Sequence, residues 1–124
     1  MNVLVRALRE LYNGAYESKT NPQTVFRVDT ILKDIYVDSE TSNTQKFLDE
    51  VVFTFYQDCI SMKWVTDHRF IDIFIDERNK HDSIQFIHEK DTAGTHLSFD
   101  KRELLLPMIL NFISGKDPHT ELFT

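Results

Sequence analysis

The residues with the clearest potential for chemistry lie in one short segment, positions 70–76. Isoleucine occupies the odd positions 71, 73 and 75, whereas aromatic and acidic residues alternate at the even positions. The even positions are Phe70, Asp72, Phe74 and Asp76. Because successive side chains of a β-strand point to opposite faces, this pattern predicts one face of isoleucines and one face that mixes aromatics with carboxylates.

The mixed face has the composition of a surface that binds a basic protein, because aromatic side chains anchor partners and carboxylates steer basic ones. If helices cover only the isoleucine face, Phe70 and Phe74 are exposed beside Asp72 and Asp76. The alternative is a sheet that is buried on both faces, since four predicted helices are available to cover one small sheet.

A second acidic region lies earlier in the chain. Residues 29–58 carry seven acidic side chains against Lys33 and Lys46, and the whole chain has a formal charge of −6. Such a surface repels a phosphate backbone and attracts a basic protein. Three acids of this region complete the predicted partner-binding set: Asp34, Asp38 and Glu40.

Basic residues are concentrated only near the N-terminus. They are Arg6, Arg9, Lys19 and Arg27. A chain that binds nucleic acid at physiological salt needs a denser basic stripe than these four residues supply. We therefore interpret them as ordinary solvated charges on helices and expect no nucleic-acid partner.

Histidines could bind a metal, and four of the five lie in the predicted strand region, at positions 68, 81, 88 and 96. Zinc ligands usually include a close pair on one turn or one helical face, and no two of these histidines are spaced in that way. We therefore expect neither a metal site nor a cofactor.

A metal-dependent nuclease is a further possibility, with Asp72, Asp76 and His88 around a divalent ion. Such a nuclease site also needs a glutamate and a lysine on the same strand face, as a Glu-x-Lys spacing would place them. Here Glu89 and Lys90 are consecutive, so they point to opposite faces of a strand. The chain also has only three glycines, which leaves little material for a phosphate-binding loop. We therefore expect that the protein is not an enzyme.

Apolar spacing of three and four residues predicts three helices before this strand. The first covers about residues 2–17, with Asn13-Gly14 as a possible early end, and the second covers 22–38. The third is predicted over 47–60, where Phe47, Val51, Phe55 and Cys59 recur at every fourth position. A competing interpretation is a strand over 51–56, where β-branched and aromatic residues are concentrated.

Beyond residue 69 the pattern predicts strands at 70–76, 83–89 and 95–99, which form an antiparallel meander. A capping-box pattern at 100–103 then opens a C-terminal helix that ends near Gly115 and is kinked or split by Pro107. The predicted fold is a single α+β domain over residues 1–124, in the order αααβββα, with a frayed tail at 116–124.

The chain carries no pattern for export or membrane insertion. Cys59 is the only cysteine and cannot form an internal disulfide, which favours a reducing compartment. Arg6 and Arg9 interrupt the first apolar stretch, and the longest apolar run, Leu104–Leu110, is far shorter than a membrane span. We expect a cytoplasmic protein without membrane contact.

Together these features favour an acidic binding module, of the immunity or antitoxin type, that occludes a basic, nuclease-like toxin. Its carboxylates would take the place of phosphates, and Phe70, Phe74 or Trp64 would anchor the partner. The alternative is a chaperone or adaptor that self-associates as a homodimer. The third possibility is the metal-dependent hydrolase or nuclease described above.

Overall fold

The computed structural model describes residues 2–37, 42–66, 69–78, 81–87, 95–99 and 104–114. Helices and a sheet occur in separate parts of the chain, so the predicted α+β class is confirmed. The elements are α1 (Val3–Ser18), α2 (Pro22–Val37), α3 (Ser42–Glu50), β1 (Val52–Phe55), β2 (Cys59–Val65), β3 (Phe70–Asp76), β4 (His81–Ile87), β5 (Thr95–Phe99) and α4 (Leu105–Ile113).

The five strands form one antiparallel sheet in the order β1-β2-β3-β4-β5, so that β3 is its central strand. In the register, Ile73 of β3 lies between Met62 of β2 and Ile84 of β4. All three side chains are fully buried and belong to the same core as buried residues of all four helices. The isoleucine face predicted from the sequence is therefore the face that the helices cover.

The first two helices agree closely with the predicted spans. The Asn2 side chain caps α1 by accepting a hydrogen bond of 2.7 Å from the Leu4 backbone N–H. Pro22 is the first residue of α2, where its missing N–H has no helical partner to lose. Gly14 does not end α1. Instead, a Cβ atom at Gly14 would overlap the ring of Phe55, so the glycine lets the helix approach β1 closely.

The predicted helix over 47–60 is wrong, and the competing strand interpretation is correct. The helix ends at Glu50, and the chain then forms β1 and β2, which raises the number of strands from three to five. Along β1, exposed and half-buried side chains alternate, with Phe53 and Phe55 packed against the core. The four-residue spacing of apolar residues misled because it continues across element boundaries: Phe47 lies in α3, Phe55 in β1 and Cys59 in β2. Phe55 packs against the core, whereas Cys59 pairs with Asp76 on the opposite face of the sheet, so these residues do not form one apolar stripe.

The C-terminal helix α4 is present and is not split at Pro107, because it continues unbroken from Leu105 to Ile113. Pro107 is the third residue of this helix. Backbone N–H groups of the first helical turn have no intrahelical partner, so proline removes no hydrogen bond there. The predicted capping box at 100–103, Gly115 and the tail at 116–124 lie outside the described residues. None of the described helices is both long and apolar enough to cross a membrane.

Candidate protein-binding face

The mixed face of β3 lies on the side of the sheet opposite the helices, which we call the outer face. Phe70, Asp72, Phe74 and Asp76 all point to it and are half-buried. Neighbouring strands add Val52, Thr54, Cys59, Ser61, Lys63, Val65, Ser83, Gln85 and Ile87. Several of these, including Val65 at 56% exposure, are open to solvent. No described helix buries this face, in contrast to the alternative of a sheet covered on both sides.

At the centre of the outer face, Asp72 lies between Lys63 of β2 and Gln85 of β4. The Ser61 hydroxyl donates a hydrogen bond of 2.5 Å to Asp72 Oδ1. This bond satisfies the buried hydroxyl and restricts the rotamer of the half-exposed carboxylate. The Ser61 hydroxyl thus holds the Asp72 carboxylate in one position on the outer face.

One end of the outer face is apolar. Phe70 pairs with Val65 on one side and with Ile87 on the other, so three apolar side chains form a row across three strands. The Lys63 ammonium lies 5.1 Å from the centroid of the Phe70 ring, within the range of a cation–π interaction. The Phe70 ring is therefore placed where a cation can reach it.

The opposite end of the outer face contains a hollow of about 360 Å³, which we call the acidic hollow. It is lined by Tyr56, Gln57, Asp58, Cys59, Phe74, Asp76 and Arg78. Two aromatic rings and two carboxylates are the groups that bind ammonium and guanidinium ions. This end of the face can therefore accept a lysine or arginine side chain.

Both carboxylates of the acidic hollow are held by neighbouring side chains. Arg78 Nη2 lies 3.2 Å from Asp76 Oδ2, and the Arg78 backbone N–H donates to Asp76 Oδ1. Asn21 Nδ2 donates a hydrogen bond of 3.2 Å to Asp58 Oδ1. The Arg78 contact shows that a guanidinium fits beside Asp76.

Cys59 does not lie on the apolar stripe of a helix, as the sequence pattern predicts, but begins β2 opposite Asp76 and is half-buried. The pKa of its thiol is raised to about 11, mainly by burial and also by the nearby negative charge of Asp76. At neutral pH the thiol is therefore protonated, which makes it a poor nucleophile.

Two other predicted residues, Asp34 and Trp64, do not join this face. Asp34 is exposed on α2, in the helical layer, and Asp38 and Glu40 lie outside the described residues. Trp64 is not an anchor because only 2% of it is exposed, and its indole Nε1 donates a hydrogen bond of 3.1 Å to Oε2 of Glu50, an exposed residue at the end of α3. Trp64 lies between Lys63 and Val65, which point to the outer face. Because successive residues of a strand point to opposite faces, the Trp64 side chain points towards the helices.

Sequence reasoning missed Tyr56 and Asp58, which line the acidic hollow. It placed both on a helix, whereas they lie in the turn between β1 and β2. The available signal was the change from apolar alternation at 52–55 to polar residues at 57–58, which is typical of a hairpin turn.

The arrangement does not resemble a metal centre. Asp72 and Asp76 lie four residues apart on one strand face, a separation of roughly 13 Å, which is too far for one ion to bind both. Within the described parts of the chain, no three residues among His, Cys, Asp and Glu are placed to hold a metal ion. His68 and His88 lie outside the described residues.

Two of the four basic residues near the N-terminus are engaged with acids. Arg6 forms an ion pair with Asp49, and Arg27 forms one with the fully buried Asp82. These contacts reduce the positive charge that this region can offer to a phosphate backbone.

Comparisons with known proteins add no functional information. No family model matches the chain, and no curated protein or solved structure matches it significantly. The features of this chain that bear on its function are therefore the geometry and charge of the outer face.

Proposed function

We propose that this protein is a binding module that uses the outer face of its sheet to capture and occlude a basic protein. The observation that carries the proposal is the layout of this face, with an apolar row around Phe70, a fixed carboxylate at Asp72 and the acidic hollow beside Phe74. Within this class, an immunity or antitoxin-type inhibitor of a nuclease-like toxin suits the small size and acidity of the chain.

In the proposed complex the two ends of the face have different tasks. A lysine or arginine of the partner enters the acidic hollow between Tyr56 and Phe74, where a carboxylate takes the place of a nucleic-acid phosphate. An apolar side chain of the partner packs on Val65, Phe70 and Ile87. Inhibition follows because a partner held in this way cannot bind its own anionic substrate at the same surface.

Charge sets the speed and salt dependence of the encounter. With a net charge of −6, the protein attracts a basic partner over distances comparable to the Debye length, which is about 8 Å at physiological salt. Association should therefore be fast in dilute buffer and slower as salt is added.

The first test is capture of partners from the lysate of the host with a tagged full-length protein, at low and high salt. We expect one basic protein to be retained, with less of it at high salt. The Asp72→Lys/Asp76→Lys variant should lose this protein, because it reverses two charges on the outer face.

The matched control is Glu10→Lys/Glu17→Lys, which makes the same change of net charge at two exposed positions of α1. It should retain the partner better than the outer-face variant does. Equal capture by the two variants would show that only net charge matters and would remove the outer face from the proposal.

Self-association is the competing function and has a separate test. A two-fold symmetric dimer through the outer face brings the acidic residues of two copies close together, which is unfavourable. We therefore expect a monomer of 14.7 kDa in sedimentation at physiological salt. A stable dimer that Val65→Lys dissociates would favour the adaptor instead.

A further inference from the structure

A groove of about 690 Å³ runs along the other layer of the molecule, between α2 and the start of α4. Pro22, Phe26, Ile31, Leu105 and Leu106 supply its apolar lining, and Asp34 lies at one end. On α2 the lining extends from residue 22 to residue 34, a length of about 18 Å. Phe26 is 71% exposed, although an aromatic ring gains free energy by burial.

Among the described residues that line the groove, two charged side chains are acidic and one is basic. The acids are Asp34 and Glu77, and the base, Arg27, forms an ion pair with Asp82. These three lining side chains carry a formal charge of −1, and the buried Asp82 balances the charge of Arg27, so the groove is complementary to a segment with apolar and basic residues.

The shape and lining of the groove favour a helix as its occupant. An extended peptide in an apolar groove needs partners for its backbone N–H and C=O groups, whereas a helix satisfies its own. The volume of the groove also fits a helix. A helix about 10 Å across and 18 Å long that is sunk to half its diameter fills about 700 Å³.

We propose that this groove is a second docking surface and that it binds an amphipathic, basic helix of a protein partner. The apolar stripe of that helix packs on Phe26, Ile31 and Leu106, and a lysine or arginine at its edge approaches Asp34. The groove lies on the opposite layer from the outer face, so this surface is independent of the proposed function. It also gives a role to Asp34, which the fold separates from the β3 residues.

The test measures binding of a fluorescein-labelled, 14-residue peptide of leucine and lysine, arranged as an amphipathic helix, by fluorescence anisotropy. A scrambled peptide of the same composition and a leucine–glutamate peptide are the controls. We expect the amphipathic basic peptide to bind at least about five-fold more tightly than either, because it alone matches both shape and charge.

Variants locate the peptide on the protein. Phe26→Ser and Asp34→Lys change exposed side chains and should each weaken binding by about five-fold or more. Glu10→Lys is the charge-matched control for Asp34→Lys, and Asp72→Lys examines the outer face. Both should bind the peptide more tightly than the groove variants do, and circular dichroism checks that all four variants are folded.

The groove proposal would be overturned by no detectable binding of the amphipathic basic peptide, by equal binding of the scrambled peptide, or by equal effects of Asp34→Lys and Glu10→Lys. A loss of binding in Asp72→Lys alone would place the peptide on the outer face. That last result would reject the groove and leave the proposed function standing.

Discussion

At the scale of single residues, a chain of polar contacts joins the first two helices. The Tyr12 hydroxyl on α1 donates a hydrogen bond to Asp29 Oδ2 on α2, and Lys33 Nζ lies 2.8 Å from Asp29 Oδ1. Burial raises the pKa of the Asp29 carboxyl, but the hydrogen bonds from Lys33 and Tyr12 and the charge of Lys33 outweigh it. The net result is a pKa below the ordinary value for aspartate.

This depressed pKa predicts how the contact depends on pH. A carboxyl with a lower pKa in the folded state stabilises the fold above its unfolded pKa of about 3.9, and the contribution is lost as the pH falls through the folded value. Tyr12→Phe should therefore lower the free energy of unfolding by about 1–2 kcal/mol at pH 7 and by less below pH 4. Urea unfolding at pH 7 and pH 3 measures both values.

The control for this prediction is Tyr16→Phe, which also removes a hydroxyl from α1 but changes a side chain that is 87% exposed. It should alter stability little at either pH. If Tyr12→Phe destabilised the protein equally at both pH values, its effect would not arise from the ionised Asp29.

The Cys59 thiol gives a second prediction at this scale. Because its pKa is raised to about 11, only about 0.1% of it is thiolate at pH 8, whereas an unfolded cysteine is roughly a quarter ionised. We expect iodoacetamide to alkylate the folded protein about 100-fold more slowly than the protein in urea. Mass spectrometry of timed samples measures both rates, and similar rates would contradict the pKa assignment.

At the scale of elements, the packing of α1 on β1 depends on Gly14. An alanine there gains up to about 1 kcal/mol of helix propensity, but its Cβ overlaps the Phe55 ring. We expect the overlap to dominate, so that Gly14→Ala destabilises the protein by about 1–3 kcal/mol. Thermal and urea unfolding measure the change.

A double-mutant cycle makes this prediction specific. Phe55→Leu shortens the opposing side chain, so Gly14→Ala should cost less in that background than in the wild type. Asn13→Ala, at an exposed neighbouring position, should have a small or stabilising effect because alanine favours the helix and the side chain is exposed. Equal costs of Gly14→Ala in both backgrounds would exclude Phe55 as the cause.

At the scale of the whole molecule, a charged pair connects the helical layer to the sheet. Arg27 of α2 contacts Asp82 of β4, whose side chain is fully buried. Removing one member of a buried pair leaves the other charge without its counter-ion in a poorly solvated site. Asp82→Ala should therefore cost about 3–5 kcal/mol of the free energy of unfolding.

The matched control is the Arg6–Asp49 pair, in which both side chains are nearly half exposed. Asp49→Ala should cost no more than about 1 kcal/mol because solvent screens the charges. The double variant Arg27→Met/Asp82→Leu should recover much of the stability lost in Asp82→Ala. Urea unfolding of the three variants distinguishes these outcomes, and equal costs for the two single variants would contradict the proposed coupling of the layers.

Much of the fold was predictable where one periodicity dominates. The spacing of apolar residues in α1 and α2 and the strict alternation in β3 each allow only one element with a buried apolar face. Between residues 47 and 60 the same apolar residues suit a helix or a hairpin, and local spacing does not distinguish them. The hairpin is favoured because it packs Phe53 and Phe55 against the core. Most of that core comes from residues far away in the sequence, so local spacing does not reveal this packing.

For the candidate site, the sequence by itself determined that Phe70, Asp72, Phe74 and Asp76 share one face, because alternation is a local property of a strand. Only the tertiary structure decided that this face is turned away from the helices, that Tyr56 and Asp58 join it, and that Asp34 does not. The physical reason is that these outcomes depend on which elements pack together to bury the apolar residues, and that packing involves residues far apart in the chain.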